Sequence, residues 1–177
     1  MGIKLNILSP DEKLLLKYKG IFDLDEMLEM AQEWYHQRGF HFHEHKFKAQ
    51  DLQQGGEAYF YWTGFRNDTE FLRVWVHLYF HFWDLEQVDV VKDKKKKTMM
   101  RGRMKVQFQG FIEIDYKNKY ETSKFMETLR EFYWKTIYLK RIQVYGDKIE
   151  YELHGFHEKF KQLLSMHNKG DQFQDMW

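Results

Sequence analysis

The chain has 177 residues and a net charge of +1, with 43% hydrophobic, 31% charged and 19% aromatic residues, a balance that excludes a disordered chain and predicts one domain with a ring-rich core. It has no cysteine, which excludes disulfides, thiolate metal sites and cysteine nucleophiles. No run approaches the roughly 20 apolar residues of a membrane helix, and Met1–Asn6 lacks the basic start and apolar stretch of a signal peptide, so a soluble cytoplasmic protein is expected.

Residues 13–22 predict a first strand, in which Leu14, Leu16, Tyr18 and Phe22 alternate with Lys17 and Lys19. A helix follows. Asp23 suits its N-cap, Glu26 stands three residues on, and Leu24, Met27, Leu28, Ala31, Trp34 and Tyr35 recur at helical spacing until Gly39. Residues 40–49 alternate again, and the polar stretch 50–56 with Gly55-Gly56 predicts a loop. Residues 57–65 give a further strand, with Ala58, Phe60 and Trp62 on one side and Tyr59, Tyr61 and Phe65 on the other. Arg66-Asn67-Asp68-Thr69 has turn chemistry.

Residues 71–116 then read as one long hairpin. On its first arm Leu72, Val74, Val76, Leu78, Phe80 and Phe82 form a core face, and Trp75, His77, Tyr79, His81 and Trp83 form an aromatic face with polar atoms. The second arm carries its apolar set at Met104, Val106, Phe108, Ile112, Ile114 and Tyr116. Facing residues of an antiparallel pair have a constant index sum, so that sum must be even. A loop centred near Lys95 gives about 190, which places His77 opposite Glu113 and Trp75 opposite Asp115. Arms of more than about 20 residues are too long for one flat strand. A bulge is expected at 83–87, where Leu85 leaves the even face.

From Thr122 or Ser123 the spacing turns helical, through Phe125, Leu129, Phe132 and Ile137 and on through Ile142, Ile149, Leu153, Phe156, Phe160 and Leu164. A break or kink is expected at Tyr145-Gly146-Asp147. The resulting layout is an α+β fold in which a curved antiparallel sheet of about five or six strands packs on a long C-terminal helix. It forms a single domain over 1–168 with a projecting basic β-arm at 85–105 and a tail at 169–177.

This order of strand, helix, about five strands and long terminal helix resembles the helix-grip fold of the START and Bet v 1-like superfamily. It differs in having a single helix after the first strand. The resemblance implies a cavity between sheet and terminal helix for a lipid, hormone or other apolar molecule.

Three groups of residues stand out as candidate sites. The odd face of the hairpin, Trp75, His77, Tyr79, His81 and Trp83 with Glu113 across from it, suits a small ligand, an oligomer or protein partner, or cover by the same chain. Lys92, Lys94, Lys95, Lys96, Lys97, Arg101 and Arg103, with Lys105, face Asp93 as the sole acid of residues 92–105. Such a cluster favours a polyanion, nucleic acid or an anionic membrane surface, or simply keeps a hairpin end soluble. His41, His43 and His45 share one side of a strand about 6.6 Å apart, a spacing that can serve one metal or a solvent-facing edge.

The chain contains no phosphate-binding glycine loop, G-x-S-x-G or H-E-x-x-H, and no cofactor is expected. The sequence therefore predicts a non-enzymatic binding domain holding an apolar ligand between sheet and C-terminal helix. The alternative is an oligomeric interaction or assembly protein that uses the aromatic face and the basic arm.

Overall fold

The computed structural model describes residues 3–7, 14–50, 56–92, 95–118, 128 and 139–165. Among these residues six strands and two helices follow in the order β1 (Ile3–Asn6), β2 (Leu14–Phe22), α1 (Leu24–Gln37), β3 (His41–Gln50), β4 (Gly56–Asn67), β5 (Leu72–Lys92), β6 (Lys95–Ile114) and α2 (Leu139–Leu163). The α+β architecture is as expected: an open antiparallel sheet in the order β1-β6-β5-β4-β3, with β2 also paired to β6 on the β1 side. Both helices pack on one face of the sheet.

β1 escapes a pattern reading because four residues hold too few alternations to register. It pairs with residues 111–114 of β6, while β2 pairs with residues 100–108 of the same edge. The stretches expected to be helical over 122–138, and the tail at 169–177, lie outside the described residues apart from Thr128.

α1 starts where its cap residue requires. The Asp23 carboxylate accepts from the Glu26 backbone N–H at 3.1 Å, and Gly39, with φ +68°, lets the chain turn out of the helix. The expected break at Gly146 is absent, since α2 runs through it. A helical glycine costs about 1 kcal/mol, and Ile142 and Ile149, buried to 9% and 0% exposure on either side, hold the turn against the sheet.

The core lies between the sheet and the two helices. The Trp34 ring of α1 stacks on Phe156 of α2 at 4.0 Å. Phe156 and Phe160 in turn meet Phe108 at 5.5 and 5.3 Å. Full burial of each such side chain contributes about 1.5–3 kcal/mol. Two glycines set the depth of the layer: a Cβ at Gly64 would fall 2.5 Å from the Tyr35 ring, and one at Gly110 would fall 2.7 Å from Leu153. Arg66, at the end of β4, clasps the layer from the side. Its guanidinium donates to Asp68 at 2.6 Å, to the Arg38 carbonyl at 3.0 Å and to Glu152 of α2 at 3.4 Å, and it lies over the Phe40 ring. Asp68 foremost among these partners raises its pKa despite the opposing effect of burial.

The hairpin keeps its expected parity but not its expected register. Over residues 72–83 the index sum is 186, so His77 faces Gln109, Trp75 faces Phe111 and Leu78 faces Phe108. The His77–Glu113 pairing is thus corrected: Glu113 lies opposite Arg73. The cause is twofold. Lys92 pairs with Lys95, which brings the index sum to 187 at the end of the ladder, and one further residue is absorbed by a bulge between Trp83 and Glu86, where Asp84 has φ 52°. That bulge also buries Leu85. Because β2 flanks β6 up to Met100, residues 88–92 and 95–99 pair as a two-stranded ribbon.

Candidate functional site

The face of the sheet opposite the helices gathers most of the singled-out residues. No described element packs on it. β5 contributes Trp75, His77, Tyr79, His81 and Trp83, and the β4–β5 register sets Phe65, Thr63, Tyr61 and Tyr59 beside the first four. β3 lies next to β4 and brings His41 and His43 opposite Phe65 and Thr63. The histidine triplet and the odd face of the hairpin are thus parts of one surface. The strand order that unites them joins residues far apart in sequence and leaves no local signal.

Each ring here is held by a neighbour. Tyr61 and Tyr79 stack at 4.5 Å, and the Tyr61 hydroxyl lies 3.2 Å from His77 Nδ1. Burial, then the Tyr79 hydroxyl, raises the Tyr61 pKa. Burial lowers that of His77 to about 4, with Lys4 and His45 adding to the effect, so the His77 imidazole is neutral at pH 7. Trp75 donates through Nε1 to Glu113 at 2.7 Å and lies beneath the Lys4 ammonium at 4.7 Å. It is a tied-down member of the face.

Tyr59, His81 and Glu57 form a second group. His81 Nε2–H donates to Glu57 at 2.6 Å, and the same carboxylate accepts from the Tyr59 hydroxyl. This bond engages Nε2 and leaves Nδ1 as the second polar atom of the ring. The His81 ring is sandwiched by Tyr59 at 4.0 Å and Trp83 at 3.5 Å. Between the two groups runs a groove of about 520 Å³, lined by Tyr59, Tyr61, Tyr79, His81, Lys105 and Gln107 and floored by the backbone at Phe60 and Phe80. Its volume falls in the range of small-molecule sites, and its walls stand on strands, which hold side chains more firmly than loops do.

The triplet His41, His43 and His45 is not assembled as a metal site. A bulge at His45 interrupts the β3–β4 ladder, His45 Nε2 is 2.6 Å from Thr63 Oγ1, and the rings of His43 and His45 are 6.4 Å apart. His41 lies over Phe65 at 4.9 Å. Among the described residues no three His, Asp or Glu side chains group as metal ligands.

The basic residues of the hairpin divide. The side chains of Lys92, Lys94 and Lys95 lie outside the described residues. Lys96 is exposed, whereas Lys97 pairs with Asp23 and lies 3.6 Å from Glu26. The tip is thereby tied to the start of α1. Asp23, at the cap, has its pKa lowered by Lys97 and by the Glu26 N–H, against the effect of burial. Arg103 donates to Asp84 at 2.6 Å, and Arg101 faces Ile21 across the β2–β6 ladder.

Lys17, Lys19 and Gln107 were not singled out as site residues by the sequence, and Lys105 was named only with the basic cluster of the hairpin. Constant index sums find them once β2 is known to flank β6, a contact spanning some 80 positions. Among the described residues no helix is long and apolar enough to cross a membrane. Comparison of the chain with protein-family models, curated proteins and solved structures finds no match.

Proposed function

We propose that the chain is a non-enzymatic binding domain that receives its ligand or partner on the open face of the sheet. The observation that carries this reading is the groove between Tyr59, Tyr61, Tyr79, His81, Lys105 and Gln107. Its rings are already fixed by stacking and hydrogen bonds, so a ring-bearing guest meets a surface whose ordering cost is met in advance. Tyr59 and Tyr79 still expose 38% and 37% of their surface. Lys105 at the rim supplies a cation, and Gln107 and His81 Nδ1 supply hydrogen-bonding groups.

A second reading keeps the ligand between the sheet and the helices. It is favoured by Trp34 Nε1, Trp62 Nε1 and His157 Nε2, which are buried without a hydrogen-bond partner among the described residues. An apolar guest with an acceptor oxygen would satisfy one of the indoles. Against it stands the close ring packing of Trp34, Phe156, Phe160 and Phe108.

Tyrosine-labelled protein titrated with indole and with 4-hydroxybenzoate separates the two by NMR. The open-face reading expects shifts at Tyr59, Tyr61 and Tyr79. Shifts confined to Tyr35, which is fully buried in the helix layer, would transfer the site to that layer, and no shift at any tyrosine would reject both.

A further inference from the structure

The open face has an order across its strands that a small pocket does not require. Strand pairing sets Tyr59, His81, Lys105 and Lys17 in one row, and Trp83, Arg103 and Lys19 in another. In each row rings on the β4–β5 side give way to cations on the β6–β2 side. The two rows are about 6.6 Å apart along the strands.

The cationic half is unfavourable on its own account. Lys17 lies directly opposite Lys105, and Lys19 directly opposite Arg103, and like charges at facing positions of a ladder destabilise it. Arg103 is relieved by Asp84. Lys17, Lys19 and Lys105 have no ion pair among the described residues. Their repulsion is relieved when anions sit above them, one for each row.

A polymer that repeats a planar ring and a phosphate along its length matches this order. We infer that single-stranded nucleic acid lies along β6 on the open face, with its bases against Tyr59, Tyr79, His81 and Trp83 and its phosphates over Lys17, Lys19, Arg103 and Lys105. The inference rests on the reading above that the open face is the binding surface. A duplex fits poorly, because its base faces are hidden in the stack. Stacking on rings beside a basic track is tolerant of sequence, so little base preference is expected.

The test is fluorescence anisotropy of the full-length chain with labelled 12-mers of uridylate and thymidylate. With about two phosphates neutralised, one over each row, affinity should fall about sevenfold between 50 and 200 mM salt. Lys17→Gln with Lys105→Gln should flatten that salt dependence, whereas Tyr59→Ala with Tyr79→Ala should weaken binding about tenfold and leave the salt slope unchanged. If a double variant fails to fold, Lys105→Gln alone and Tyr79→Ala alone make the same distinction.

Absence of binding at 50 mM salt, while indole still shifts the open-face tyrosines, would overturn this inference and leave the parent reading standing. Absence of both would remove the two together. Uridine monophosphate bound as tightly as the 12-mer would make a free nucleotide the occupant instead. Binding abolished by neutralising Lys94 to Lys97 but untouched by Lys17→Gln with Lys105→Gln would move the contact to the hairpin tip. Either result refutes a strand along β6.

Discussion

On the helix side of the sheet the rings are mostly those of phenylalanine: Phe80, Phe82 and Phe108 are at most 1% exposed, and Phe80 and Phe108 pack against Phe160 from α2. On the other side they are mostly tyrosine, histidine and tryptophan, and their heteroatoms are engaged, as in Tyr61 with His77, His81 with Glu57 and Trp75 with Glu113. Both faces are aromatic, yet only one removes its rings from water. The difference shows that ring content does not by itself mark a core; the polar atom on the ring tells which face must remain open to water or to a guest.

Truncating one ring from each face tests this division most sharply. Phe156→Ala removes the partner of Trp34 and Phe108 and should cost about 3–5 kcal/mol, read as a lower urea midpoint. A loss under about 1 kcal/mol would mean that the helix layer is not the core.

An intermediate effect is expected from acid. His77 has a folded pKa of about 4 against an ordinary value of 6.5, so the unfolded chain takes up its proton first as pH falls. The contribution is whole above pH 6.5 and declines towards pH 4, by up to about 3 kcal/mol from this residue. His77→Gln should narrow the difference in urea midpoint between pH 7 and pH 4. An unchanged difference would show that the open face does not desolvate His77.

Tyr79→Ala should have the smallest effect on stability, below about 1 kcal/mol, because the ring is 37% exposed. Its consequence belongs to binding. A stability loss comparable to that of Phe156→Ala would erase the contrast between the two faces.

The sequence shows which side each residue of a strand takes, because that follows from alternation alone. It therefore identifies the even core of the hairpin, the odd aromatic face and the Asp23 cap. It shows less about what depends on counting through a turn. The register is displaced by four in the index sum because Lys92 pairs with Lys95 and Asp84 adds an unpaired residue. The pairing of β2 with β6 and the juxtaposition of β3 with β5 across β4 are set by long-range packing. For that reason Lys17 and Lys19 read as the solvent side of an early strand, although they lie beside Lys105 and Arg103. Gly146 misled for a related reason: its helical penalty is local, while the burial of Ile142 and Ile149 that outweighs it is not.

The bulge at Asp84 acts as a change of phase within a single continuous strand. Before it, even positions point to the helices; after it, Leu85 does, and the ribbon begins with its alternation reset. A one-residue insertion within 86–92 would therefore shift the pairings of the ribbon while leaving every ring of residues 72–83 where it is. The length and charge of the tip can thus vary in evolution or by engineering without disturbing the face below it.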